Sequence, residues 1–219
     1  MRIHLISLNS VWVDEIKKEI GEREDIQVTC GKVEDLPRIN STFVSPANSL
    51  GFMDGGIDYA FSRLMFPGVE KAVRQKILAI GKKTLLGRPY LPIGQAIAIS
   101  TCIESCHLIA APTMFLPHDV RGTQNAYAST LAALALHAKY APETTLVLTS
   151  HCCGYGKMSE AESAKQMVRA FHDFEAGRIP NDELPHVADY LPFPSRDAEQ
   201  PNWFDNREIK EIDLRDLKY

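Results

Sequence analysis

The chain has 219 residues, long enough for one well-buried domain with an appendage and short for two. Hydrophobic residues make up 45% and charged residues 24%, an ordinary globular composition, and no apolar run approaches the roughly 20 residues of a membrane span. The net charge of −4 is unevenly placed: residues 180–219 hold ten acids and five bases, which leaves the rest of the chain at +1. A nearly neutral body argues against nucleic-acid binding through a basic surface, so an anionic ligand would have to be received by main-chain amides and helix ends.

The first apolar stretch, residues 3–8, is too short for a signal peptide and reads as a strand, which makes a cytoplasmic location the expectation. Ser10 then reads as the cap of a helix over 11–21 with Val13, Ile16 and Ile20 on one face. Residues 26–30 alternate as a second strand. Residues 43–45 form a short buried strand, followed by a loop of small residues and a helix near 57–63. Val69, Ala72, Val73 and Ile77 set a further helix over 68–80.

Residues 96–100 and 107–111 are apolar strand candidates. Thr123 reads as the cap of a long helix over 124–138, with Ala128, Leu131, Leu134 and Leu136 inside. Residues 145–149, carrying the continuous Leu146-Val147-Leu148, have the pattern of a central strand. A loop over 151–158 leads to a last helix over 159–174. Strands separated by helices imply a mostly parallel sheet covered on both faces, spanning residues 1–175. Pro180, Pro185, Pro192, Pro194 and Pro201 punctuate residues 176–219, which read as an irregular acidic arm lying on the domain or meeting a protein partner.

Five cysteines, odd in number and irregularly spaced, suit a reducing compartment better than a disulfide framework. Cys102, Cys106 and His107 lack the second ligand pair of a zinc site, and no metal or cofactor is called for. His107, His118, His137, His172 and His186 have no partners evident in sequence, and no G-x-S-x-G elbow supports a serine hydrolase. Cys152 and Cys153 precede a glycine-bearing loop and a helix, as in cysteine phosphatases. That chemistry needs an arginine six residues beyond the nucleophile, where this chain has Met158 or Ser159.

Two loops carry most of the chemical information. The first is FVSPANSLGFMDGGID, residues 43–58, in which a strand runs through small residues and the pair Gly55-Gly56 into a helix. Ligands of open α/β sheets settle beyond the carboxyl ends of strands. Gly55 and Gly56 would let a ligand touch the main chain, and Asn48 offers donors and acceptors suited to a sugar diol or to bracing its own turn. The second loop is TSHCCGYGKMS, residues 149–159, again between strand and helix. Gly154 and Gly156 can open a nest of amides for a phosphate, Lys157 adds a positive charge, and Tyr155 can cover a ribose or ring.

The first loop resembles the ribose-side signature of macro domains, most closely their bacterial and phage branch, where the stretch reads VSPANSFGFMDGGID. Residues 91–96, 108–114 and 122–127 resemble further segments of the family in the same order, and the likeness covers roughly residues 1–175. It implies a three-layer α/β/α sandwich around a mixed, mostly parallel sheet, with ADP-ribose or an ADP-ribosylated substrate as the partner. Asn48 would then hold the distal ribose, with Ala47, Gly55, Gly56 and Ile57 flanking the ribose and diphosphate. Ser150, Cys152, Cys153, Gly154, Tyr155 and Gly156 would clasp the phosphates. Asp58 falls where hydrolytic members place an acid beside the distal ribose, so Asp58 and Asn48 are the catalytic candidates; the alternative for Asp58 is a first-turn aspartate satisfying helix amides.

Two departures are plain. Ser150 and Cys152 stand where that branch has glycines, and Lys32 stands where many members carry an aspartate that reads adenine, with Glu34 or Asp35 as substitutes. The resemblance leaves open a hydrolase of ADP-ribose derivatives, a non-catalytic ADP-ribose reader and a structural phage- or virus-like module.

Overall fold

In the computed structural model, residues 1–80, 82–85 and 87–178 are described; the expected arm lies almost wholly outside them. The sheet has six strands in the order β2-β1-β8-β3-β7-β6. These are β1 (Ile3–Ser7), β2 (Ile26–Cys30), β3 (Ser41–Ser45), β6 (Ile97–Ser100), β7 (Cys106–Ala110) and β8 (Thr145–Leu148). Every pairing is parallel except β6 with β7. β4 (Lys82–Lys83) and β5 (Pro89–Tyr90) form a separate two-stranded ribbon. All five residues of β3 are buried, as a strand covered on both faces requires.

Helices α1 (Ser10–Ile20), α4 (Asn125–Tyr140) and α5 (Glu160–Glu175) pack together on one face. Trp12, Ile16, Leu134, Leu146, Leu148 and Phe171 fill the core beneath them. The other face carries α3 (Val69–Ile80) over Phe43, Phe61, Phe66, Val73, Leu108 and Val147. The two cores with the sheet between them make the expected three-layer sandwich. No helix among the described residues is long and apolar enough to cross a membrane.

Three local details differ from the sequence reading. Asn9, not Ser10, caps α1: its side chain accepts the Trp12 N–H at 3.2 Å. Thr123 stands one residue before the cap position of α4, which Gln124 takes without a side-chain bond; the Thr123 hydroxyl donates to the Val120 carbonyl at 2.7 Å and accepts the Asn125 N–H at 3.4 Å. The helix expected near 57–63 is a single α-turn, α2 (Gly56–Tyr59), running straight into a π-helical stretch, Ala60–Met65. Phe61 in that stretch packs against Phe43, with ring centroids 6.0 Å apart.

Candidate functional site

β3 and β8 are direct neighbours and run the same way, so the loops leaving their carboxyl ends must emerge side by side. The coordinates bring them into contact. A Cβ placed on Gly55 would lie 3.7 Å from Cε2 of Tyr155, a tyrosine that is 47% exposed. The two loops therefore meet beyond the carboxyl ends of β3 and β8, the end of an open α/β sheet where ligands settle.

The first loop is braced from within. Asn48 Oδ1 accepts the N–H groups of Leu50 at 3.1 Å and Phe52 at 3.3 Å, and Asn48 Nδ2 donates to the Phe52 carbonyl at 2.8 Å. The Ser49 N–H donates to the Met114 carbonyl at 2.9 Å, tying the loop to the segment after β7. Ala47 lies in the core, and its carbonyl takes the Thr113 N–H at 3.0 Å. Gly51 needs its missing side chain: its φ is +76°, and a Cβ would sit 2.9 Å from Ile77 Cδ1. Gly55 caps α2 with no side chain to occupy the first amides, so the N–H groups of Gly56 and Ile57 are left without a cap.

Asp58 is half-buried, and Ser45 Oγ donates to its Oδ1 at 2.5 Å. The carboxyl thus takes a hydroxyl from the end of β3 rather than helix amides. Desolvation pushes its pKa up to about 7, opposed by the Ser45 hydrogen bond and assisted by the charges of Asp54 and Glu70. A carboxyl poised near neutrality can take or give a proton.

The second loop turns its bulky groups inward. His151 is fully buried, with Nδ1 3.2 Å from Thr130 Oγ1, and burial holds its pKa down to about 4, so the ring is neutral. Cys152 adopts φ +65°, the left-handed region that glycine favours, and its side chain joins the core beside Val120, Met114 and Met158. That backbone explains why a glycine would fit here, and the side chains of Cys152 and His151 are both buried in the domain.

Cys153 is half-buried, and its thiol lies 3.4 Å from the His151 carbonyl. Burial raises the Cys153 pKa to about 11 and pushes that of Cys152 up further, so neither is a thiolate nucleophile. Ser150 Oγ sits 3.2 Å from Ser7 Oγ, which anchors the loop to the end of β1.

Gly156 closes the turn. A Cβ there would meet the Cys152 carbonyl oxygen at 2.5 Å and Val120 Cγ2 at 2.7 Å, whereas Gly154 is open, with nothing within 4 Å. The Lys157 N–H donates to the Gly154 carbonyl and the Met158 N–H to the Cys152 carbonyl. Among the described residues, the N–H groups of Ser150, Cys153, Gly154 and Gly156 meet no main-chain acceptor outside regular helices and strands. Such a run of uncommitted amides is what an anion-receiving nest needs.

Lys32 is exposed at the start of a 3₁₀ turn, Val33–Asp35, beyond β2; Glu34 is half-buried and Asp35 exposed. Among the described residues no group of three His, Cys, Asp or Glu side chains is placed to hold a metal ion. Sequence reasoning missed Ser45 as the partner of Asp58. Its only signal was an alternation that puts Phe43 and Ser45 on one face.

No family model matches the chain, and no curated protein does. Solved structures do resemble it. The macrodomain of Mycobacterium tuberculosis DarG matches at TM-score 0.52 and 17% identity, over 66% of this chain and 88% of that one. A glycine-to-valine mutant of the Oceanobacillus iheyensis macrodomain, with ADPR, matches at 0.51 and 18%, over 64% and 73%. The same macrodomain with ADP matches at 0.50 and 20%, over 64% and 71%. This chain has the macrodomain fold.

Proposed function

We propose that this chain binds ADP-ribose, or a molecule carrying it, in the groove between residues 47–58 and 150–156, and that it hydrolyses the bond to the substituent on the distal ribose. The observation that carries the reading is the meeting of Gly55 and Tyr155, since each belongs to a loop with amides that lack main-chain acceptors. The similar Oceanobacillus iheyensis structures are described with ADPR and with ADP, both nucleotide diphosphates, which supports a ligand of that class.

In this reading the diphosphate lies across Gly154 and Gly156, whose amides neutralise it without a lysine field. Gly55, Gly56 and Ile57 meet the ribose side, and Tyr155 covers it. Asp58 takes a proton from a water whose oxygen bonds to the anomeric carbon. The bond from that carbon to the substituent breaks, and its electron pair leaves with the substituent. The raised pKa of Asp58 and its place beside the groove favour this role.

A second reading is a non-catalytic reader, and one observation favours it. Asn48 spends its carboxamide on its own loop, so it braces the site more than it grips a sugar. One experiment separates the two. The chain is incubated with ADP-ribosylated protein, O-acetyl-ADP-ribose and ADP-ribose-1″-phosphate, alongside Asp58→Ala. Release of the substituent by the wild type, lost in the variant, supports the hydrolase; tight ADP-ribose binding with no turnover of any of the three supports the reader.

A further inference from the structure

Thr149 directly follows β8 and is 5% exposed, yet among the described residues its hydroxyl meets no hydrogen-bond partner. Buried hydroxyls in folded proteins are nearly always satisfied, by protein or by ordered water. The parallel register says what surrounds this one. Phe43 pairs with Val147 and Leu5 with Leu148, so the same register carried past the ends of the two ladders brings Ser45 opposite Thr149 on one side and Ile6 on the other.

Phe43, Val147 and Ile6 share one core, which places Ser45 and Thr149 on that same face of the sheet, because side chains repeat every second residue. Ser45 already donates to Asp58. Pairing of β3 with β7 continues to Ser45–Ala110, whereas pairing of β3 with β8 stops at Phe43–Val147. The β3–β8 ladder therefore ends two residues before Thr149, at the carboxyl end of the sheet.

The geometry points to a water-holding subsite made by Thr149 and Asp58, with Ser45 fixing the carboxyl. Thr149 is a positioning residue: its hydroxyl supplies one hydrogen bond to a water molecule, and the free oxygen of the Asp58 carboxyl supplies another. The site itself stands on the register and the unmet hydroxyl. Its catalytic consequence rests on the hydrolytic reading above, in which this is the water delivered to the anomeric carbon.

Thr149→Val keeps the shape and removes the hydroxyl; Thr149→Ser keeps the hydroxyl. High-resolution crystal structures of the ligand-free proteins should show an ordered water within hydrogen-bond distance of Thr149 Oγ1 and the Asp58 carboxyl. It should be lost in Thr149→Val and present in Thr149→Ser. With whichever of the three substrates the wild type turns over, Thr149→Val should lower kcat about tenfold while the Kd for ADP-ribose stays unchanged, and Thr149→Ser should restore kcat. No water at that place in the wild type, or a water that persists in Thr149→Val, overturns the inference. If the wild type hydrolyses none of the substrates, the hydrolytic reading fails alone, and the crystal structures still decide whether the water site exists.

Discussion

Replacing Gly156 with alanine probes the turn that shapes the second loop. The added Cβ would sit 2.5 Å from a main-chain oxygen, that of Cys152, and 2.7 Å from Val120 Cγ2. Neither neighbour is the free end of a flexible side chain. Normal carbon–oxygen contact begins near 3.3 Å, so the 152–156 backbone must move by most of an ångström, at the ~1–3 kcal/mol typical of overpacking. In a domain of this size each kcal/mol shifts Tm by roughly 2–4 °C, so the expected fall is roughly 2–12 °C. Gly154→Ala is the control. Gly154 lacks a positive φ and has nothing within 4 Å, so alanine there should leave Tm unchanged or raise it slightly. Thermal unfolding by circular dichroism measures both. Equal melting temperatures for the two variants would refute the packing of the second loop described above. ADP-ribose affinity should fall in both, because Gly156→Ala displaces the amides and Gly154→Ala puts a methyl group into the groove.

The pH dependence of stability should change when Asp58 becomes asparagine. Its pKa is raised in the fold to about 7 from 3.8, so between those values the folded chain holds a proton that the unfolded chain has lost. That contribution to stability is complete below pH 3.8 and is lost as pH rises through 7. Asp58→Asn should therefore lose less Tm than the wild type between pH 4 and pH 8, and parallel curves would contradict the assignment. His151 has the opposite sign: with its pKa lowered to about 4, the stability it confers is present above pH 6.5 and declines as pH falls towards 4.

Cys152→Gly relieves a left-handed backbone worth about 1–2 kcal/mol, so it should destabilise no more than Cys152→Ala despite deleting more atoms; urea midpoints compare them directly. Trp12→Ala removes a fully buried ring whose Nε1 donates to Ser163 Oγ at 3.2 Å, and should cost about 3–5 kcal/mol in the same assay.

The layers of the fold were readable because the strands are short with apolar residues at their centres while the helices carry clear three-to-four spacing. Leu146-Val147-Leu148 could only be an interior strand, and it lies between β1 and β3. Helix starts were less legible. Asn9 and Ser10 are both good capping residues, and only the Trp12 N–H chooses between them. The helix after the glycine pair read as one α-helix, but hydropathy does not distinguish α from π winding. At the site, the two loops and their glycines stood out, yet their convergence depends on β3 and β8 being neighbours, a pairing of residues about a hundred positions apart. For the same reason the Ser45–Asp58 contact and the unmet Thr149 hydroxyl were hidden. The inward turn of Cys152 was hidden too, since a positive φ at a cysteine has no sequence signature.

The groove itself is tested most directly by following main-chain amide resonances while ADP-ribose is added. The structure predicts saturable shifts at Gly55, Gly56, Ile57, Gly154 and Gly156 together, with a single affinity and little change at residues on the opposite end of the sheet such as Asn40 and Ser105. Shifts confined to one of the two loops, or none at millimolar ADP-ribose, would contradict it.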